Sequence, residues 1–297
     1  MSQTPVADAA APPTGRPRLG GRRALVTGAA QGLGRAYAVA LADAGAAVAV
    51  LDVNPAVSAV AEQLRARGSS AWSTVADLAD PAAVLGAVDG AAEALGGLDI
   101  VVNNAAVCLA TRPDSDSYDK GVADFDTTIG VNLRGSFLVG RAAIAHLRLG
   151  GGDLVNVTND HIHTCGFPEV LDHADAPDCP WASRPRAPLG GAAFDVYDAS
   201  KWGINGLTNV WARVLAPLGI RVNSFGMGAT DTPMYRGFIG DRPPGPGMMT
   251  PEAVAGVLVD LLAEGPGGRN GDSVEVWVGH PCALPPPMRW AFTGTAP

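Results

Sequence analysis

Cysteine is scarce in this sequence: Cys108, Cys165, Cys179 and Cys282 are the four among 297 residues. None forms a Cys-x-x-C pair, so neither a zinc knuckle nor a dithiol redox motif is expected, and the thiols are expected to be reduced. Charge is sparse as well, at 17% of residues, with a net charge of −8 and a pI near 5.0. That balance argues against a general nucleic-acid partner or an anionic membrane surface. No apolar run approaches the roughly 20 residues that cross a bilayer. The opening stretch 1–20 is rich in Ala, Pro and Thr, without the apolar core of a secretory signal or the Arg and Ser density of a transit peptide. It is expected to be a disordered tail on a cytoplasmic protein, with a second tail over 281–297.

What the sequence has in quantity is apolar residues, 47%, and 38 glycines. Short continuous apolar runs alternate with helical segments. Arg23–Thr27, Ala47–Leu51, Ala71–Val75, Asp99–Val102, Asp153–Val157, Ile220–Phe225 and Ser273–Val278 read as strands. Helices are expected near 32–44, after Pro81, and over 125–147, 194–215 and 251–263. Strands that are apolar on both faces, separated by helices, imply βαβ units and a parallel sheet covered on both sides. The expected fold class is therefore α/β, a single-domain, Rossmann-like doubly wound parallel sheet over 21–280. Two irregular stretches interrupt it, 160–193 and 233–249.

Between the first strand and first helix lies Thr27-Gly28-Ala29-Ala30-Gln31-Gly32-Leu33-Gly34. Glycines here let the backbone turn tightly against a pyrophosphate, whose charge is stabilised by free N–H groups at the helix start. Gly28, Gln31, Gly32, Leu33 and Gly34 are thus candidate cofactor contacts. Asp52, followed by Val53, closes the second strand, where a carboxylate accepts hydrogen bonds from ribose hydroxyls and repels the extra phosphate of NADP. No Lys or Arg lies inside the turn. NAD is the expected cofactor.

Tyr197 and Lys201 stand four apart on an expected helix and so share one face. A phenol with a pKa of about 10 is a poor base near neutral pH. A neighbouring ammonium and a positive nicotinamide ring favour the phenolate. Tyr197 is then able to take or give the proton that accompanies hydride transfer.

The Gly-x-x-x-Gly-x-Gly spacing, Asn103-Asn104-Ala105-Ala106 and Tyr197-Asp198-Ala199-Ser200-Lys201 occur in an order that resembles the short-chain dehydrogenase/reductase family, over about residues 19–279. The resemblance implies that Asp77 and Leu78 contact the adenine, and that Asn103, Asn104 and Ala105 line the cofactor. It implies that Asn132 holds a water beside the catalytic Lys201, and that Lys201 also bonds the nicotinamide ribose. Gly228, Thr230 and Thr232 resemble the segment that grips the carboxamide. Met227 and Ala106 stand where the family usually has Pro and Gly, both mild changes.

Two departures are larger. Where the family places a Ser to hold the substrate oxygen, this sequence has Asn159, preceded by Thr158. Asn159 is the candidate by position, able to donate from its amide, and Thr158 the alternative by its hydroxyl. Asn159 to Tyr197 is also unusually long, at 38 positions. The insertion 160–193 carries His161, His163, Cys165, His173 and Cys179. Its His-x-His-x-Cys spacing is no regular zinc motif, so no metal is expected. His161 and His163 are candidate contacts to a polar substrate, unless the insertion is a surface flap. The stretch 233–249 is the expected substrate lid, with Met234 and Tyr235 as lining.

By family resemblance, the long helices 125–147 and 194–215 pair subunits in a homotetramer or dimer. The expected activity is NAD-dependent oxidation of a small secondary alcohol, or reduction of its ketone. A non-redox dehydratase or epimerase with bound NAD, and a cofactor-binding regulatory protein without turnover, are the alternatives.

Overall fold

The computed structural model describes residues 18–159, 194–278 apart from 241, 244 and 246, and 281–287. The expected insertion 160–193, with His161 and His163, lies outside the described residues.

The apolar runs form the strands β1 (Arg23–Thr27), β2 (Ala47–Asp52), β3 (Ala71–Val75), β4 (Ile100–Asn103), β5 (Gly152–Val157), β6 (Ile220–Met227) and β7 (Ser273–Val276). They are buried on both faces, except for β3 at the sheet edge, which is only partly covered. All seven pair in parallel, in the order β3-β2-β1-β4-β5-β6-β7. The helices α1 (Gly32–Asp43), α2 (Val57–Ala66), α3 (Pro81–Leu95), α4 (Tyr118–Thr128), α5 (Ser136–Leu147), α6 (Asp195–Leu215), α7 (Pro233–Ile239) and α8 (Pro251–Ala263) connect or cover them. The expected single-domain α/β architecture is what the chain adopts.

Successive strand side chains point to opposite faces, and the core divides accordingly. Val26, Val50, Val102 and Phe225 face α1, α2 and α8, while Leu25, Leu51, Val101 and Leu154 face α3, α5 and α6. Sequence order reverses between β1 and β4, and a crevice opens there at the carboxyl ends of the strands. The opposite end of the sheet is fixed by charge. Asp153 is buried between Arg22 at 2.7 Å and Arg221 at 2.6 Å, and Arg269 holds Glu264 at 2.7 Å and Asp272 at 3.1 Å. Burial raises the Asp153 carboxyl, and Arg221 and Arg22 oppose that rise.

Several boundaries differ from the sequence-based expectation. The helix expected over 125–147 starts at Tyr118, where Ser117 accepts a hydrogen bond from Lys120 N at 3.2 Å, and widens into a π turn over Ile129–Gly135. The expected lid loop begins as α7, because Thr232 caps Pro233 onward by accepting from Tyr235 N. Leu19, assigned to the tail, is buried and bonds Ala44 O through its N–H at 2.8 Å. Nor is 281–287 free: Cys282 and Leu284 pack on the core, and Arg269 Nη1 donates to Pro285 O at 2.9 Å.

Tyr37 of α1 offers a test of the core. It is fully buried, edge-on to Phe225 at 6.2 Å, and its hydroxyl has no partner among the described residues. An unsatisfied buried hydroxyl costs about 1–3 kcal/mol. Tyr37→Phe is therefore expected to leave stability unchanged or raise it by roughly 1 kcal/mol. A lowered urea midpoint at constant slope would show that the hydroxyl is bonded after all.

Candidate active site

The glycine turn at the sheet's reversal point is shaped by what glycine alone allows. Gly28 has φ +66°, and a Cβ on it would lie 2.6 Å from Ala105 Cα. Asn104 Nδ2 donates to Thr27 O at 2.9 Å and Gly28 O at 3.2 Å, joining this turn to the loop after β4. Thr27 Oγ1 accepts from Asn104 N and Ala105 N at 3.0 and 3.1 Å. Gln31, at the start of α1, makes no side-chain cap. The first N–H groups of that helix therefore remain available to an anion. Asp52 steadies the turn from β2, its Oδ2 accepting from Ala30 N and its Oδ1 from Asn54 N, each at 2.9 Å.

These groups border a cavity of about 460 Å³. Gly28, Gln31, Gly32, Leu33 and Gly34 form one side, and Asp52, Val53, Asp77 and Leu78 another. Asn104, Ala105, Thr158, Tyr197, Lys201, Thr232 and Met234 also line it. The remaining candidates lie off the lining. Asn103 points into the sheet's covered face, its Nδ2 donating to Asn156 Oδ1 at 2.9 Å and Ser136 O at 3.1 Å. Gly228 continues the β6–β7 ladder through its N–H to Val276 O, and Thr230 Oγ1 donates back to Gly228 O at 3.0 Å. Tyr235 takes part through its backbone, in the α7 cap. Val107, Val131 and Met227 line the cavity without having been expected. Being apolar, they carry no chemical signal in a sequence full of such residues.

The π turn places Asn132 between two loops. Its Oδ1 accepts from Val107 N at 2.8 Å, and its Nδ2 donates to Val107 O at 2.9 Å and Ser200 Oγ at 3.0 Å. Ser200 Oγ in turn donates to Tyr197 O at 2.6 Å. Asn132 thus ties the loop after β4 to the first turns of α6, which carry the Tyr–Lys pair. Asn132 O accepts from Ser136 Oγ at 2.7 Å.

Lys201 Nζ lies 5.4 Å from the centre of the Tyr197 ring and donates to Val157 O at 2.9 Å. Burial lowers its pKa to about 8, with the nearby Cys108 opposing that shift. Burial likewise pushes the Cys108 thiol up to about 12, so it is a neutral thiol near pH 7. The ammonium beside Tyr197 is the arrangement that favours a phenolate.

Thr158 and Asn159 differ in setting. Thr158 borders the cavity and is buried. Asn159 is buried off the lining, with Nδ2 donating to Asp198 Oδ1 at 2.9 Å. Among the described residues no cluster of His, Cys, Asp and Glu is arranged to hold a metal ion, and no helix is long and apolar enough to cross a membrane.

A stability test follows from Lys201. Between pH 8 and 10.5 the folded chain has released the Lys201 proton while the unfolded chain still holds it. The unfolded state then binds more protons, so stability rises with pH across that window, by roughly 3 kcal/mol. Cys108 acts with the opposite sign above pH 9, since its folded pKa is raised. The measurement is therefore the difference in unfolding free energy between the ligand-free wild type and Lys201→Met, which retains Cys108. A pH-independent difference would show that Lys201 is not a buried charge.

A family model described as short chain dehydrogenase matches residues 22–163 and 186–241, leaving 164–185 unmatched. The chain is 33% identical, over 87% of its length and 96% of the relative's, to the (2S)-[(R)-hydroxy(phenyl)methyl]succinyl-CoA dehydrogenase subunit BbsD of Thauera aromatica. It is 32% identical, over 82% and 90% of the two chains, to the cis-4-hydroxycyclohexanecarboxylate dehydrogenase of Sinomonas cyclohexanicum. Among solved structures, a short chain dehydrogenase from Burkholderia cenocepacia in complex with NADP superposes with TM-score 0.65 and 33% identity, covering 88% of this chain and 97% of that one.

Proposed function

This chain belongs to the short-chain dehydrogenase/reductase family, and we propose that it is an oxidoreductase moving a hydride between NAD and a secondary alcohol or its ketone. The observation that carries this reading is the placement of Tyr197 and Lys201 on the same cavity as the glycine turn. The cofactor supplies the hydride acceptor or donor. Gly28, Gly32, Gly34 and the uncapped start of α1 fit a pyrophosphate, and Asp52 fits ribose hydroxyls. Asp77 and Leu78, which the family resemblance gives to the adenine, line the same cavity as Asn104, Ala105 and Thr232. Tyr197 takes the hydroxyl proton of the alcohol, or returns it to the ketone oxygen, while Lys201 stabilises the phenolate. Thr158 or Asn159 holds the substrate oxygen. The two relatives are both named as dehydrogenases of hydroxyl-bearing compounds, whereas nothing comparable supports a non-redox enzyme or a protein without turnover. The test is NADH formation from a panel of secondary alcohols; a protein that binds NAD but oxidises none of them would overturn the reading.

NAD rather than NADP is favoured by Asp52, although the Burkholderia cenocepacia neighbour holds NADP. A carboxylate facing a phosphate costs several kcal/mol, and Arg35, the basic residue nearest in sequence to the turn, spends its guanidinium on Gln63 Oε1 at 2.9 Å. Asp52→Asn is expected to raise the NADP-to-NAD ratio of kcat/KM by about tenfold or more. An unchanged ratio in steady-state assays would remove Asp52 from the selection.

The chain is proposed to act in the cytoplasm as a homodimer or homotetramer. Phe137 on α5 and Trp202, Val210 and Val214 on α6 expose 40–63% of their surface and would be covered by a second copy.

A further inference from the structure

The π turn Ile129–Gly135 also holds a second loop on the cavity wall. Asn132 reaches Val107 and Ser200, as described above. Arg134 is two residues further on and does not share its face. Its Nη1 donates instead to Ala79 O at 2.8 Å. Gly135 packs on the same loop: a Cβ there would lie 2.9 Å from Leu78 Cβ and 3.5 Å from Leu78 O, so the glycine leaves Leu78 its place.

That loop, residues 76–80, follows β3 and closes on itself. Asp77 Oδ1 accepts from Ala79 N at 2.9 Å, and Asp77 O accepts from Asp80 N at 3.1 Å. Ala76 N donates to Asp52 O at 3.0 Å, which joins the loop to the end of β2. Ala76, Asp77 and Leu78 all line the cavity.

Strand order decides which half of a dinucleotide this loop would meet. β3 lies beside β2, while β1 and β4 separate β2 from β5, whose Val157 O accepts from Lys201. A dinucleotide lies across the carboxyl ends of such strands, with an acidic residue on a ribose. With the nicotinamide at Tyr197 and the other ribose at Asp52, the base on that ribose, adenine, falls against the loop after β3.

We infer that Arg134 is a positioning residue for the adenine half of the cofactor: from the π turn it fixes loop 76–80 in the shape the base meets, without touching the reacting atoms. The inference rests on the reading of the cavity as a dinucleotide site. Without this bond, binding has to order the loop, and that cost is subtracted from affinity. The nicotinamide half and the proton step, braced by Asn132, are unaffected.

The experiment measures dissociation constants for NAD, AMP and nicotinamide mononucleotide by competition against NADH fluorescence. Arg134 is exposed, so Arg134→Met removes the donor without disturbing the core. Affinity for NAD and for AMP is expected to fall about three- to tenfold, the worth of one hydrogen bond. Affinity for nicotinamide mononucleotide is expected to stay unchanged. In turnover, KM for NAD rises while kcat at saturating NAD is kept. Arg134→Lys, which retains a charged donor on a long stem, is expected to restore most of the loss. Unchanged AMP affinity in Arg134→Met overturns the inference. So do equal losses for AMP and nicotinamide mononucleotide with a fall in kcat, which would mark a general loosening of the π turn through Asn132. A wild type that binds NAD and AMP yet oxidises no alcohol overturns the dehydrogenase reading alone, and the AMP titration still decides the role of Arg134. A wild type that binds neither overturns both.

Discussion

Tyr197→Phe is expected to lower kcat for alcohol oxidation by about 10² to 10⁴, the usual worth of a positioned general acid–base. The substitution removes one oxygen and keeps the ring. The ring's contact with Lys201 Nζ at 5.4 Å and the bond from Ser200 Oγ to Tyr197 O at 2.6 Å therefore both persist. Lys201 keeps its bond to Val157 O, and the substitution leaves the glycine turn untouched. NAD affinity, measured by titration, is expected to stay within a few-fold of wild type. This split, a large fall in kcat with little change in cofactor binding, separates a proton-transfer role from a packing role. Turnover that survived in Tyr197→Phe would assign the proton to another group and end the mechanism proposed for this site.

The parts of the fold and site legible in the sequence are those set by short-range constraints. β1, β2 and β4 are apolar on both faces wherever they are placed, so their burial and parallel pairing follow from composition. Tyr197 and Lys201 meet because they stand four apart on one helix. Gly28, Gly32 and Gly34 lie between a strand and a helix, where local backbone geometry decides the turn. What was not legible depends on a distant partner. Nothing in Ile129–Gly135 marks a π turn, which is held by bonds from Asn132 to Val107 and Ser200. Asn103 and Asn104 look equivalent on paper, yet strand alternation sends the first to Asn156 and leaves the second on the cavity. Asp198 carries no signal of its own, since the hydrogen bond it accepts from Asn159 forms only in the folded chain. Thr232 is legible as a cofactor candidate only through the family pattern, and its capping of α7 emerges from the fold.

Gly34→Ala carries the second large effect, on cofactor binding. A Cβ at this position would lie 2.1 Å from Gly28 O and 2.6 Å from Asn104 Nδ2. The nearest obstacle is backbone, which no side-chain rotation relieves, so the start of α1 and the turn at Gly28 must move apart. Overpacking of this kind costs about 1–3 kcal/mol, occasionally more. The cost falls on the surface a pyrophosphate would touch, because the Gly28 turn and the first N–H groups of α1 act there together. NAD affinity is expected to fall by roughly 10- to 100-fold, the same energy expressed as binding. Gly86 makes a control: nothing stands within 4 Å of its Cβ position, on a helix remote from the turn. There Gly→Ala is expected to leave NAD binding unchanged and to stabilise the helix by up to about 1 kcal/mol. If Gly34→Ala bound NAD as tightly as Gly86→Ala, the close approach of helix and turn would play no part in holding the cofactor.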